Sequence, residues 1–390
     1  MTRSLAILAA LLWGMAAAAQ PAATRDIPIL YLERSIERPA TLSSLDLPPT
    51  DAGLQGARLG LADAMAAGRL IGQRVTLAER VLEPGADLAE ALRAALAEAM
   101  PAAILANLPA ADLLRLADLP EARDLTVLNA AAPEDALRGA ECRRNLLHVH
   151  PSRAMLADAV MQFAARRRWS KLFLVLGQTP EDAAWAEALR LAARKFNQRI
   201  VGEKRFGTDG ADLRDTAAAE MPVLTQGPDY DMVLVADAWK DFARFVPYNT
   251  WLPRPVAGSA GLEPVAWSPA AEQWGATQLQ NRFERQAGRP MTGIDWSAWA
   301  AMRAVAQAAT AAGSAEPARV GAALRAPGFS FAGFKGRPLS FRPWDGQLRQ
   351  PIQLAMPGAV VAVAPLEGYL HRRTELDTLG PDEPETACRR

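Results

Sequence analysis

The sequence predicts an α/β protein built from two Rossmann-like lobes with parallel-type sheets, the chain passing several times between them. Three observations lead there. At 390 residues the chain exceeds what one hydrophobic core ordinarily serves, so two lobes are expected. Short apolar runs alternate with Ala- and Leu-rich stretches of helical period, the rhythm of βαβ units on a parallel sheet. That rhythm restarts near residue 152, and a helix returns late in the chain, which suggests two similar units rather than one long sheet.

The elements follow in order. Ile27 to Leu32 reads as a first buried strand, and Gly53 to Ala67 as a helix, with Thr50 and Asp51 as candidate N-caps and Gly68 as its stop. Arg74 to Val81 is a second strand, Asp87 to Met100 a helix, and Ala103 to Ala106 a third strand. A helix from Ala111 to Leu119 leads to a fourth strand, Leu125 to Asn129. In the second unit Ser152 to Arg166 is a helix, Leu172 to Leu176 a strand, and Pro180 to Phe196 a helix. Ile200 to Phe206 and Met232 to Ala236 are strands, each apolar enough to be covered on both faces. A return strand, Pro255 to Ser259, precedes a long helix, Asp295 to Ala312. Phe329 to Asp345, rich in Gly, Pro, Arg and aromatics, reads as loops and short strands. Ile352 to Ala355 and Val360 to Ala364 are late strands, and beyond Thr374 a polar, loosely packed tail is expected.

Lys plus Arg and Asp plus Glu balance at 43 each. No field of one sign exists to hold nucleic acid or an anionic membrane. The N-terminus carries Arg3 and then an apolar run, Leu5 to Ala19, ending in small residues before Gln20 and Pro21. This is the pattern of a cleaved secretory signal (1–23), too short to span a bilayer. Export to the periplasm follows as the expectation, with no direct membrane insertion of the mature chain. In that oxidising compartment the two cysteines, Cys142 and Cys388, are expected to form a disulfide worth about 3–5 kcal/mol.

Several stretches resemble a known family. They are GLQGARLGLADAMAAG (53–68) with IGQRVTL (71–77), NLLHVHPSRAMLADAV (145–160) and DYDMVLVAD (229–237). SAWAAMRAVAQAATAAG (297–313) and GFKGRPLSFRPWDGQL (333–348) complete the series. In this order they are similar to the type I periplasmic solute-binding proteins of ABC transporters, the branched-chain amino-acid receptors. The resemblance implies three interlobe crossings, with lobe one at 25–146 plus 269–330, lobe two at 147–268 plus 331–375, and a tail at 376–390. Residues 31–63, 253–264 and 272–291 more narrowly resemble a subgroup found beside PQQ-dependent alcohol dehydrogenase systems. What the resemblance implies is a monomeric receptor, not an enzyme. It would need no cofactor, would capture a small-molecule solute, and would work with ABC permease and ATPase subunits. The chain departs from the amino-acid receptors in two places. The Gly and Ser after the third strand are replaced by Ala106-Asn107-Leu108-Pro109-Ala110-Ala111-Asp112, and the Tyr-Gly of the second lobe's helix by Asp182-Ala183-Ala184-Trp185. A zwitterionic amino acid would lose charge-assisted hydrogen bonds there.

Ligands of such sheets sit at the C-terminal ends of strands and at helix N-termini. That rule nominates Glu33, Arg34, Asn107, Asp112 and Asn129 in the first lobe. In the second it nominates Asp182, Trp185, Asp237, Trp239 and Glu263, with Glu181 and Lys240 beside them. Polar groups would orient the solute and the indoles stack on it. The carboxylates Glu33, Asp46, Asp51, Asp112, Asp237 and Glu263 raise the thought of calcium or a lanthanide, yet no dense Asp-x-Asp-x-Asp loop exists, and no metal site is assigned. His148 and His150 share a strand face, but a third zinc ligand is missing nearby, and a packed strand is the better account. Ser259, between Gly258 and Gly261, loosely resembles a nucleophile elbow without the helix that an elbow needs. The alternatives to a transport receptor are therefore a periplasmic sensor or accessory protein, a metal binder serving a PQQ dehydrogenase, and, last, a hydrolase.

Overall fold

The computed structural model describes residues 24–38, 47–207 and 217–389. The expected signal segment and Asp46 lie outside the described residues. Strand β1 (Arg25–Arg34), helix α1 (Leu54–Gly68), β2 (Gln73–Leu82), α2 (Leu88–Glu98), β3 (Ile104–Asn107), α3 (Ala110–Asp118), β4 (Val127–Asn129) and β5 (Leu146–His148) form the first α/β layer set. Its five parallel strands run in the order β2-β1-β3-β4-β5. Then come α4 (Arg153–Arg166), β6 (Lys171–Leu176), α5 (Pro180–Lys195), β7 (Arg199–Arg205), α6 (Ala217–Leu224), β8 (Met232–Ala236) and β9 (Val256–Gly258). They make a second parallel sheet, β7-β6-β8-β9.

Each sheet is buried on both faces, as the apolar runs require. In β1, Ile27, Ile29 and Tyr31 enter one core while Leu30 and Leu32 enter another, because successive side chains point to opposite faces. In β6, Leu172, Leu174 and Leu176 divide from Phe173 and Val175 in the same way.

After β10 (Glu263–Val265) the chain returns to the first sheet as α7 (Ala276–Ala287), α8 (Gly293–Ala312) and α9 (Pro317–Arg325). Helix α8 lies against α1 so closely that a Cβ on Gly56 would stand 1.9 Å from the Asp295 carbonyl oxygen. Trp296 and Trp299 of α8 fill the space between them and the sheet. A ribbon of β11 (Phe331–Ala332), β12 (Pro338–Phe341) and β13 (Leu348–Arg349) follows. Strands β14 (Ile352–Met356) and β15 (Ala359–Ala364) then join β10 in a small antiparallel sheet over α4. Phe331, Leu339, Phe341 and Leu348 pack in the core of the first sheet, whereas Ile352, Leu354, Ala364 and Leu379 pack in that of the second.

Two expectations are corrected. Helix α1 is entered through Gly53 at φ 97°, with no side-chain cap, because Asp51 instead accepts from Arg289 at 2.8 Å. The segment beyond Thr374 is not loose. Leu376, Asp377, Leu379 and Cys388 are buried, and Cys388 is bonded to Cys142 across 246 residues.

Candidate functional site

The chain leaves the first sheet from the C-terminal end of β5, so the crossings stand on the edge where the strands end. A polar network packs them. The buried Arg138 donates from Nε to Gln347 Oε1 at 2.8 Å, and from its other nitrogens to the carbonyls of Ala132, Glu134 and His150. Burial brings its pKa down to about 10, with Asp135, Glu134 and Asp345 opposing the shift. Gln347 Nε2 donates to the carbonyls of His148 and His150, and Gln350 Nε2 to that of Val149 at 2.6 Å. Lys335 is buried, donates to Gln350 Oε1 at 2.7 Å, and lies 3.6 Å above the Trp296 ring. The satisfied side-chain amides hold three segments of chain in register.

At the end of β1, Tyr31 donates to Glu33 Oε2, and Asn107 Nδ2 donates to Tyr31 Oη at 3.0 Å and to the Ala52 carbonyl at 2.9 Å. Burial raises the Glu33 pKa, the Tyr31 hydroxyl opposing the shift. Behind this group Asp295 accepts from Gly53 N–H at 2.8 Å, from Thr292 and from Arg289. Arg34 pairs with Asp112 and donates to the Glu83 and Ala86 carbonyls. The structure thus brings Glu33 and Asn107 into one cluster and Arg34 and Asp112 into one ion pair. On the second sheet Lys240 Nζ meets Glu263 Oε2 at 2.6 Å, with Trp239 half-buried beside it.

Four nominees are spent inside the chain. Asn129 accepts from the Ala131 and Ala132 N–H groups and donates to the Ala132 carbonyl, its amide also meeting His148 Nδ1 at 3.1 Å. Asp182 closes a capping box with Thr179 and accepts from Ala238 N–H at 2.7 Å. Trp185 packs in the second core. Asp237 accepts from the N–H groups of Asp241, Phe242 and Ala243. Buried polar groups need such partners, and short acidic or amide side chains at strand ends find them in the turn that follows. Ser259 Oγ accepts from Asp237 N–H at 3.0 Å, and the chain after it enters β10, not a helix. His148 and His150 also diverge, His150 Nδ1 lying 3.1 Å from Ser297 Oγ. Among the described residues no group of three acidic, His or Cys side chains is disposed to hold a metal ion. Tyr31, Asp295, Arg138 and the Gln347/Gln350 pair escaped sequence reasoning because each also takes a partner far away in sequence, as in Asn107 to Tyr31, Gly53 to Asp295 and Arg138 to Gln347. The one available signal was the polar residues inside otherwise apolar segments.

Two parallel α/β sheets joined by three crossings, with polar clusters at their strand ends, define a two-lobed binding protein. The family model described as periplasmic binding protein matches residues 41–247, and the chain belongs to that family. A search of curated proteins found no match. The fold is similar to that of a branched-chain amino-acid ABC transporter ligand-binding protein from Burkholderia xenovorans, with TM-score 0.66, 17% identity, 86% of this chain and 95% of that one. It is also similar to a solute-binding protein from R. palustris in complex with benzoate, with TM-score 0.65, 13% identity and 93% and 99% coverage. A third is LivJ from Streptococcus pneumoniae in complex with isoleucine, with TM-score 0.63, 16% identity and 87% and 99% coverage. These structures match the type I periplasmic binding protein fold. Among the described residues no helix is long and apolar enough to cross a membrane.

Proposed function

We propose that the chain is the periplasmic substrate-capturing component of an ABC transporter, exported by its N-terminal signal, serving a system of quinoprotein alcohol oxidation. The lobes comprise 25–146 with 269–330 and 147–268 with 331–375, and a small solute is held between them and released unchanged. One observation carries this reading: polar pairs stand at or beside the strand ends of both sheets, Glu33/Asn107 and Arg34/Asp112 on one, Lys240/Glu263 with Trp239 by the other, and Arg34, Asn107, Trp239 and Lys240 are only partly covered. Binding across both favours the closed form, the shape a permease can recognise. A free α-amino acid fits poorly, because the Gly and Ser of the amino-acid receptors after the third strand are replaced here by Ala106 to Asp112, without that hydroxyl. The half-buried Trp239 suits an aromatic alcohol or its acid, the ring stacking while Glu33, Arg34 or Lys240 takes the polar end.

Thermal melting and solution scattering with benzyl alcohol, benzoate, PQQ and calcium test it. One of these is expected to raise Tm and compact the protein, and Trp239→Ala and Glu33→Gln to abolish the effect. No response to any of them counts against capture in the cleft. Recovery of a dehydrogenase instead of permease subunits in a pull-down would turn the reading towards an accessory protein.

A further inference from the structure

We propose that the C-terminal segment 366–389 is a disulfide-closed strap across the hinge that limits how far the two lobes part. The inference rests on the opening and closing proposed above. The segment is first fastened to the second lobe. Leu366 N–H donates to Gln162 Oε1 at 3.0 Å, Gly380 N–H to Asp158 Oδ2 at 2.7 Å, and Lys195 Nζ to the Gly380 carbonyl at 3.0 Å. Leu379 is buried in that lobe's core.

The segment then passes over the third crossing. There the fully buried Arg342 donates to Asp377 Oδ1 at 2.9 Å and to the Leu376 and Leu379 carbonyls at 3.1 and 2.7 Å. Arg349 donates to the same carboxylate at 2.8 Å. Finally it reaches the first lobe, where Thr386 Oγ1 donates to the Arg138 carbonyl at 2.8 Å and Cys388 is bonded to Cys142, ahead of β5.

Residues 381–387 lie between the Gly380 anchor on one lobe and the covalent bond to the other, and part of that span is a helical turn, Glu383–Glu385. The three crossings join the lobes at the hinge itself. The strap is a fourth connection on the hinge side, and its short free length converts rotation of the lobes into tension on a covalent link. Cutting the bond removes the covalent tie of the end to the first lobe, so the lobes gain freedom without loss of either core.

Spin labels at Glu83→Cys and Ala238→Cys, exposed positions beyond β2 and β8, report the distance between the lips by pulsed electron resonance. Three ligand-free forms are compared: the parent chain, Cys142→Ser/Cys388→Ser, and a form with Gly-Ser-Gly-Ser inserted between Glu385 and Thr386. The insertion keeps the disulfide and adds up to about 13 Å of slack at ~3.3 Å per residue, so the test survives a failure of the double variant to fold. The expected result is a longer mean distance and a broader distribution in both altered forms, with unchanged far-UV circular dichroism. Superimposable distributions in the folded forms overturn the strap. A distance that none of benzyl alcohol, benzoate, PQQ and calcium shifts in any form overturns the binding reading instead, and the comparison between forms still decides the strap.

Discussion

At the scale of single residues the most exacting commitments are buried charges. Asp377 is fully enclosed and accepts from both Arg342 and Arg349. Replacing it with alanine takes that carboxylate from Arg349 and leaves the fully buried Arg342 with the more distant Asp345, at 3.7 Å, as its counter-charge. Removal of one partner from such a buried pair costs about 3–5 kcal/mol, so Asp377→Ala is expected to lower stability by that order in urea unfolding, and Asp377→Asn by less. His150 makes a second commitment. Burial, with Arg138, Lys335 and Arg153 nearby, pushes its pKa from 6.5 down to about 3. Between those values the unfolded chain binds a proton that the folded chain refuses, so stability falls as pH drops from about 6.5 towards 3. Equilibrium unfolding across that range should show the loss, and His150→Gln should flatten it.

At the scale of elements, the contact of α1 with α8 decides where the second half of the chain returns. It depends on Gly56 and Gly60, whose missing side chains let the helices meet. A Cβ at Gly60 would stand 2.7 Å from Met302 Cβ, and one at Gly56 nearer still to backbone that cannot move aside. Overpacking of this kind costs about 1–3 kcal/mol or more. Gly56→Ala is therefore expected to lower Tm more than Gly60→Ala in parallel melts. The elements themselves were largely legible. The runs around Ile27, Leu172 and Met232 are strands because they are apolar on both faces, and Asp87 and Ser152, read as the first residues of their helices, stand as the N-caps. The N-cap assigned to Asp51 failed because a distant arginine competes for its carboxylate.

At the scale of the whole molecule, the Cys142–Cys388 bond closes most of the chain into one loop. Its reduction should remove about 3–5 kcal/mol by releasing loop-closure entropy to the unfolded state, measurable as a lower urea midpoint in the presence of a non-thiol reductant. The candidate site belongs to this scale too, since its halves lie on separate sheets. Sequence reasoning found the strand ends yet could not sort their residues. Glu33 and Lys240 look no different in sequence from Asp182 and Asp237, which are consumed by their own turns.

Local pattern by itself determined the α/β class, most of the strands and helices of the two parallel sheets though not α6, α7, α9 or β10, and the pairing of the two cysteines, because periodicity and an even pair of thiols act over short or exclusive ranges. Only the tertiary structure decided that the tail is packed, that Arg342 and Asp377 are mates, and that Asn129 holds its own loop. Those outcomes depend on which distant group arrives first at a buried polar atom, and nothing in the neighbouring residues specifies that.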